Sequence, residues 1–244
     1  MDFPLSSGFS NRLIHLAEVD STNLELERIN SIDLPVFTVL VADSQTAGKG
    51  RMGRNWSSEP GASLAVSLLL RPKTDIAGWV TLLAGVSVAR ALGELGVDAR
   101  VKWPNDVLVQ GKKICGILAQ LNQDGSLILG VGLNLKAQQG APDTATSLEE
   151  LGVVATSDEV LALFLAAFRS RFEVLTQAQD FAVTKTLNEL EELCSTLGQE
   201  VRAEFPDGKE LIGRATAIDR SGHLVIATPE PVVVSAADVW HLRN

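Results

Sequence analysis

The chain has 244 residues, of which 45% are apolar, and it carries a formal net charge of −9 at pH 7. This length suits one large domain or a large domain with a small one, and the apolar fraction is normal for a globular protein. The acidic balance argues against a general nucleic-acid binder, which should carry a basic field. Lys and Arg concentrate instead at 49–54, 71–73, 100–102 and 112–113, which suggests a local site for a small anionic ligand.

The two cysteines, Cys115 and Cys194, lie far apart in the sequence and lack partners at metal-ligand spacing. So few cysteines argue against a disulfide scaffold and fit a reducing compartment. The N-terminal residues lack the apolar core of a secretory signal, and no stretch approaches the apolar length that spans a bilayer. We therefore expect a cytoplasmic protein that does not associate with a membrane.

The first part of the chain alternates strand and helix patterns. A predicted strand over 13–19 is followed by Ser21, Thr22 and Asn23 and then by a helical pattern over 24–29. Side chains of this type commonly cap helices, and three of them together also suit hydrogen bonding to a neutral polar ligand. Further strands are predicted over 36–42, 64–70, 99–103, 107–109, 114–121 and 126–131, with a helix over 75–95.

The pattern changes near residue 197. From 147 to about 194 the apolar spacing predicts helix, with one buried face that holds Leu161, Phe164, Leu165, Phe168, Phe172 and Leu175. Five short strand patterns follow over 201–205, 210–218, 224–228, 232–235 and 239–242, and turn sequences separate them. Five short strands in so few residues predict a small β-barrel.

The stretch DSQTAGKGRMGRNW at 43–56 interleaves three glycines with Lys49, Arg51 and Arg54. Glycine lets the backbone approach a ligand closely, and Lys and Arg supply charged donors to phosphate or carboxylate oxygens. Most loops of this composition are solvated surface loops, and this one is neither a Walker motif nor a GxGxxG turn. Because three like charges repel one another and few apolar groups are available for burial, we expect a mobile loop that a ligand orders.

The stretch KWPNDVLVQGKKICGIL at 102–118 carries two tight turns, which present Lys102, Asp106 and Lys113. Each turn alone is best explained as a hairpin turn with solvated charges. Together with the glycine-rich stretch, however, they favour a convergent anion site. Asp106 is suited to hold Mg²⁺ against phosphates, because this ion typically uses one or two carboxylates plus phosphate oxygens. The three histidines are isolated in the sequence, and no pairing of a nucleophile with a base is evident.

These motifs occur in one order along the chain: STN at 21–23, QTAGKGRMGRNW at 45–56, KWPND at 102–106, GKK at 111–113, GIL at 116–118 and GVGLN at 130–134. The combination resembles the biotin–protein ligases over nearly the whole chain. Any one of the motifs alone is not specific, whereas their combination in this order is.

The resemblance implies an α/β (α+β) fold, with a mixed-sheet, class II synthetase-like catalytic domain over 1–195 and an SH3-like C-terminal domain over 196–244. It also implies a ligase that uses ATP and Mg²⁺ to activate biotin as biotinyl-5′-adenylate, with release of pyrophosphate. The biotinyl group then passes to one lysine of a biotin carboxyl carrier protein or domain, expected to belong to an acyl-CoA carboxylase such as acetyl-CoA carboxylase. We expect no DNA partner and a monomer or weak homodimer.

The resemblance further assigns roles to residues. Biotin would be bound by Ser21, Thr22, Asn23, Gln45, Gly48, Lys49, Gly50, Arg51, Lys113, Gly116 and Leu118. ATP would be bound by Arg51, Arg54, Trp56, Lys102, Asn105, Asp106 and Asn134, with Trp56 on the adenine ring and Asp106 at the Mg²⁺. Lys113 and Arg51 are the residues implied in catalysis, and Lys113 would bridge the biotin carboxylate and the α-phosphate.

Two departures from the family pattern and two alternatives remain. Lys49 stands where family members more often have Arg, which keeps the charge and loses the bidentate fork. Too little sequence precedes residue 13 to hold a helix-turn-helix domain, so a monofunctional ligase is expected. The closest alternative is a lipoate–protein ligase, against which the STN and KWPND motifs favour biotin. A non-catalytic binding module or DNA-binding repressor is the other, and the acidic charge weighs against it.

Overall fold

The computed structural model describes residues 3–29, 34–56, 59–72, 77–177 and 179–242, except for the side chains of residues 77 and 177–183. Its centre is a seven-stranded sheet whose strands lie in the order β1 (Arg12–Val19), β2 (Thr38–Gln45), β5 (Ser63–Leu70), β9 (Leu127–Asn134), β8 (Lys112–Leu121), β7 (Asp106–Val109) and β6 (Ala99–Lys102). Strands β1 and β2 are parallel, and every other neighbouring pair is antiparallel. The predicted mixed sheet is therefore confirmed.

Strand β5 explains why this sheet has two covered faces. Its sequence SLAVSLLL is buried at every position, as expected for a continuous apolar run. Helix α2 (Thr22–Ile29) covers one face through a small cluster around Leu26, Leu40 and Leu69. The larger core lies on the other face, where helices α3 (Ala77–Glu94) and α4 (Ser157–Gln177) pack. The first two residues of the helix predicted over 75–95 lie outside the described residues.

The helical region after residue 147 is shorter and more divided than predicted. Residues 148–152 form turns, and α4 begins at Ser157 because Thr156 and Glu159 form a capping box. A further helix, α5, follows over Gln179–Leu193. The predicted apolar face is confirmed, since all six of its residues are buried: Leu161, Phe164, Leu165, Phe168, Phe172 and Leu175. A short helix, α1 (Pro4–Ser7), packs against α4 from the N-terminal end of the chain.

The C-terminal strands form a second, antiparallel sheet. Their order is β13 (Val232–Val234), β12 (Leu224–Ala227), β11 (Glu210–Ile218), β10 (Glu200–Glu204) and β14 (Asp238–His241). All five predicted strands are present, but closure of the predicted small barrel is not confirmed, because within the described residues β13 pairs only with β12 and β14 only with β10. The sheet stays open, so one edge strand, β14, is left to face the rest of the protein.

Two tryptophans attach this C-terminal sheet to the larger domain. The indole N–H of Trp79 donates to the carbonyl of Arg220 at 3.0 Å, and that of Trp103 donates to the carbonyl of Gly222 at 3.0 Å. Both tryptophans are only 2% exposed. One of these contacts starts in α3 and the other just after β6, so the C-terminal sheet is joined to the larger domain by tertiary contacts. The exact domain division at 195/196 stays a prediction. None of the described helices is both long and apolar enough to cross a bilayer.

Candidate functional site

A cleft lies between the central sheet, β14 and a small hairpin formed by residues 48–56. This glycine hairpin consists of β3 (Gly48–Lys49), a 3₁₀ turn (Arg51–Gly53) and β4 (Asn55–Trp56). Most residues assigned to a site from the sequence line the cleft: Ser21, Thr22, Asn23, Gln45, Lys49, Gly50, Arg51, Arg54, Trp56, Lys102, Asn105, Asp106, Lys113, Gly116 and Leu118. Segments far apart in the sequence thus converge on one site.

Polar side chains at the start of α2 form one end of the cleft. The side-chain oxygen of Gln45 accepts hydrogen bonds from the Thr22 N–H at 2.7 Å and from the Thr22 hydroxyl at 3.0 Å. Gln45 at the end of β2 therefore satisfies a free donor in the first turn of the helix, a task that the sequence suggested for the side chains of residues 21–23. With its oxygen engaged in this way, Gln45 has its amide nitrogen left to donate.

Asn23 is oriented by Ser67, a residue that no sequence motif indicated. The Ser67 hydroxyl donates to Asn23 Oδ1 at 2.6 Å, and Asn23 Nδ2 lies 3.4 Å from the carbonyl oxygen of Leu118. Ser67 is fully buried in β5, where its apolar neighbours gave no sign of a role at the site. The Asn23 amide group is thus presented to the cleft with its oxygen already bonded.

Two glycines on neighbouring strands form the floor beside Trp56. Gly116 on β8 and Gly132 on β9 are direct partners in the sheet. A β-carbon at Gly132 would lie 2.6 Å from Trp56 Cε2, and one at Gly116 would lie 3.0 Å from Trp56 Cζ3. Glycine is therefore required where the indole ring rests against the sheet. The Trp56 indole nitrogen is buried and has no hydrogen-bond partner among the described residues.

Basic side chains and one carboxylate gather at the opposite end. Lys113 Nζ lies 2.7 Å from Asp106 Oδ1 and 5.6 Å from the centre of the Trp56 ring. The Asn105 side chain donates to the carbonyl of Ile117 at 2.9 Å, and so fixes the 103–105 turn against β8. Asn105 therefore supports the position of its neighbour Asp106, whatever else it contacts.

Burial affects the basic groups of this end. It lowers the pKa of Lys102 below that of an ordinary lysine; Asp106 acts in the opposite direction, while Lys113 and Arg54 add to the lowering. Burial also lowers the pKa of Arg51. The charge of Asp106 acts to raise this pKa, and the charge of Arg54 acts to lower it further. The cleft therefore concentrates positive charge in a partly desolvated place, which is the environment expected of an anion site.

The C-terminal sheet supplies a wall of the cleft that the sequence did not indicate. Asp238, Val239 and Trp240 of β14 line it. Asp238 forms an ion pair with Arg54 and lies 4.0 Å from Arg51. A carboxylate far along the chain therefore offsets part of the repulsion among the hairpin cations, a contact that the expectation of a mobile loop did not include; the mobility itself stays a prediction.

Two residues assigned to the site lie outside its lining. Gly48 is packed inside the hairpin, where a β-carbon would lie 2.4 Å from the Trp56 carbonyl oxygen. Asn134 donates through its side chain to the carbonyl of Thr146 at 3.0 Å. Its nucleotide contact stays a prediction. Gly130 and Gly132, which belong to the sequence motif but were given no role, do line the cleft.

Comparisons with known proteins identify the family of the chain. Residues 16–136 match the model of the biotin/lipoate A/B protein ligase family, and residues 196–242 match that of the biotin protein ligase C-terminal domain. The chain is 36% identical over 242 residues to a biotin–[acetyl-CoA-carboxylase] ligase of Mycobacterium tuberculosis, an alignment that covers 93% of this chain and 88% of that protein. The chain belongs to the biotin protein ligase family.

Other relatives of this biotin protein ligase family member include a bifunctional ligase/repressor BirA of Bacillus subtilis, at 34% identity over 93% of this chain and 73% of that protein. Among solved structures, the biotin protein ligase of Aquifex aeolicus in complex with biotin and ATP has a TM-score of 0.84 at 30% identity, and the match covers 95% of this chain and 100% of that one. The fold expected from the sequence is therefore confirmed apart from closure of the barrel.

Proposed function

We propose that this biotin protein ligase activates biotin with ATP to biotinyl-5′-adenylate and transfers the biotinyl group to a specific lysine of a biotin carboxyl carrier protein or domain. The observation that carries the proposal is one continuous cleft with a neutral polar end and a cationic end. The carrier would be part of an acyl-CoA carboxylase, since the relative from Mycobacterium tuberculosis is named for acetyl-CoA carboxylase.

The polar end suits the ureido head of biotin, which offers both hydrogen-bond donors and an acceptor. Gln45 is held by Thr22, and Asn23 is held by Ser67, so both side-chain amide groups are oriented before a ligand arrives. Such preorganised groups lose little entropy on binding. We assign Ser21, Thr22, Asn23 and Gln45 to this head group, and Gly116 and Leu118 to the ring system on the floor.

The cationic end suits the meeting of the biotin carboxylate with the α-phosphate. In the first step a carboxylate oxygen attacks the α-phosphorus, the bond to the bridging oxygen breaks, and pyrophosphate leaves with the electron pair. Two anions repel each other as they approach, so fixed cations that contact both lower the barrier. We assign this role to Lys113 and Arg51, with Lys102 and Arg54 toward the departing phosphates.

The second step uses the adenylate as an activated acyl group. The carrier lysine, as its neutral amine, attacks the carbonyl carbon, and AMP leaves as an amide bond forms. A closed glycine hairpin would exclude water from the mixed anhydride before the carrier arrives. Lys49 keeps the positive charge at a position where family members more often have Arg.

Asp106 is suited to a magnesium ion that accompanies ATP. Its Oδ1 atom is buried, and apart from the ion pair with Lys113 no hydrogen bond reaches it within the described residues. A single carboxylate is enough when phosphates supply further ligands, and the described part of the chain holds no cluster of three His, Cys, Asp or Glu for a metal bound by protein alone. Bound there, Mg²⁺ would neutralise part of the phosphate charge.

The decisive experiment is incubation with ATP, Mg²⁺, biotin and a carrier domain, followed by intact mass measurement. We expect the carrier to gain one biotinyl group and to gain none when biotin is omitted. Lipoate in place of biotin tests the closest alternative, and gain of a lipoyl group instead would contradict the proposal. Biotin-dependent exchange between ATP and pyrophosphate separates an enzyme from a binding module. A cytoplasmic location, the absence of a DNA partner and a monomeric or weakly dimeric state remain expectations.

A further inference from the structure

One carboxylate of the C-terminal sheet faces two arginines of the glycine hairpin. Asp238 is the first residue of β14 and forms an ion pair with Arg54. Arg51 Nη2 donates to the carbonyl of Ala237 at 3.2 Å and lies 4.0 Å from Asp238 Oδ1. The hairpin is therefore tied across the cleft to a strand that lies more than 180 residues further along the chain.

The Asp238 carboxylate lies in a cleft where a negative charge is unfavourable for phosphate binding. Apart from Asp106, Asp238 is the only acidic side chain among the described residues that line the cleft. A negative charge beside an ATP site repels phosphate, so its presence needs a compensating role. The arginines provide one, because the two cations stand close to each other and burial lowers the pKa of Arg51.

The contact differs from an ordinary surface ion pair. Arg54 is 61% exposed and alone would gain little from a solvent-exposed partner. The Asp238 side chain, however, is only 14% exposed, and it serves both arginines together with the neighbouring backbone carbonyl. An acceptor held on a strand can fix the direction of two flexible side chains, which a free surface acid cannot.

We propose that Asp238 is a positioning residue for the adenylation step: it holds the glycine hairpin closed against β14 and directs Arg51 and Arg54 into the cleft before nucleotide binds. The proposal rests on the proposed function in assigning these arginines to ATP. Cations that are already in place need no reorganisation when the phosphates arrive. It also gives the C-terminal sheet a part in the first half of the reaction.

The first test measures the kinetics of biotin-dependent ATP–pyrophosphate exchange for Asp238→Asn, which keeps the shape and removes the charge. We expect the KM for ATP to rise roughly tenfold, the effect of losing one hydrogen bond to a charged group, with the KM for biotin within about twofold. Asp238→Glu should recover part of the loss. The matched control is Glu210→Gln, which breaks an exposed pair with Arg202 in the same sheet and should change neither KM.

A change in the KM for ATP in the opposite direction would also be informative. If Asp238 merely competes with phosphate for the arginines, its removal would free them and lower the KM for ATP. That result, or an unchanged KM, overturns the positioning role. Urea unfolding of each variant checks that the fold is retained. If Asp238→Asn loses stability, Asp238→Glu alone is compared with the wild type, and a rise in the KM for ATP of less than about tenfold is then the expected result.

The second test does not depend on catalysis. Trypsin cleaves after Lys49, Arg51 and Arg54, so the cutting rate of the ligand-free protein reports how firmly the hairpin is held. We expect Asp238→Asn to be cut several-fold faster than the wild type and Glu210→Gln to be cut at the wild-type rate. Equal rates for wild type and Asp238→Asn contradict the proposal that Asp238 holds the hairpin, even if the enzyme is active. Conversely, if no exchange activity is found, the cutting rates still decide whether Asp238 holds the hairpin.

Discussion

The side-chain amide of Asn23 occupies the space that a β-carbon on Gly130 would need. Such a β-carbon would lie 2.4 Å from Asn23 Oδ1 and 3.1 Å from Nδ2. The same Oδ1 atom accepts the hydroxyl of Ser67, which holds the amide from the other side. Asn23 is therefore confined between two neighbouring strands, and its orientation depends on the absence of a side chain at position 130.

We predict that Gly130→Ala weakens biotin binding at least tenfold, because Asn23 must move and its bond with Ser67 is lost. Overpacking of this kind also costs about 1–3 kcal/mol of stability. Thermal shift with and without biotin measures both effects. The control is Gly93→Ala in α3, where a β-carbon meets nothing within 4 Å, so that biotin binding is kept and stability rises slightly. Equal biotin shifts in both variants would show that Asn23 tolerates displacement.

The charge of Lys113 should matter much more than that of its neighbour. Lys113 faces Asp106 inside the cleft, whereas Lys112 is exposed at the start of β8. We expect Lys113→Gln to lower biotin-dependent pyrophosphate exchange by about 10²–10³, the usual cost of one contact to charge that develops in the transition state. Lys112→Gln should stay within a few-fold of wild type. Exchange rates at saturating substrates test this, and near-normal exchange by Lys113→Gln would remove it from catalysis.

The hydrogen bond of the Trp103 indole to the C-terminal sheet can be tested by comparison with Trp56, whose indole N–H has no such bond among the described residues. Trp103→Phe leaves the buried carbonyl of Gly222 without its donor, and so should lower the free energy of unfolding by about 1–3 kcal/mol beyond the loss of ring area. Trp56→Phe removes a buried N–H that has no partner in the described structure, so this extra loss should be missing. Urea unfolding gives both values. If the free energy of unfolding falls no more for Trp103→Phe than for Trp56→Phe, the hydrogen bond of the Trp103 indole contributes nothing to stability.

The contact of Asp158 with α1 should make the stability of the protein depend on pH. Burial by itself raises the pKa of the Asp158 carboxyl, but hydrogen bonds from Ser6 and from the backbone of Leu5 outweigh it, and the pKa lies below the ordinary value of 3.8. A carboxyl whose pKa is lower in the folded than in the unfolded protein stabilises the fold when the pH lies above its unfolded pKa. This contribution is lost as the pH falls through its folded pKa.

Accordingly, Asp158→Asn should lower the urea midpoint at pH 7, and the difference from wild type should shrink as the pH falls below about 4. The exposed Asp143→Asn serves as the control, with wild-type midpoints throughout. A difference for Asp158→Asn that stays constant down to pH 2 would assign its effect to shape rather than to charge.

The parts of the fold that were predictable are those set by local chemistry. The five C-terminal strands follow from alternating apolar residues between PDGK, RSGH and PEP turns, and each is found near its predicted limits. Closure of that sheet was not predictable, because it depends on whether β13 and β14 meet, and no local pattern reports this. The start of α4 was also missed, since the apolar spacing extends back through a segment that the Thr156 cap excludes.

The site was predictable where residues lie inside motifs, and not where a single residue joins it from elsewhere. Lys113 and Asp106 lie in one stretch, so their meeting follows from two adjacent turns. Ser67 and Asp238 approach Asn23 and Arg54 through tertiary contacts across 44 and 184 residues. A buried serine in an apolar strand and an aspartate before a short strand look like many others, so their roles appear only in three dimensions.

Both cysteines are buried, and burial raises the pKa of each thiol. Because the thiolate is the reactive form, both cysteines of the native protein should react very slowly with alkylating dyes. Met52, at the tip of the glycine hairpin, is 60% exposed. A fluorophore attached at Met52→Cys would consequently be the sole label on the molecule and would report opening and closing of the hairpin in real time, without replacement of any native cysteine.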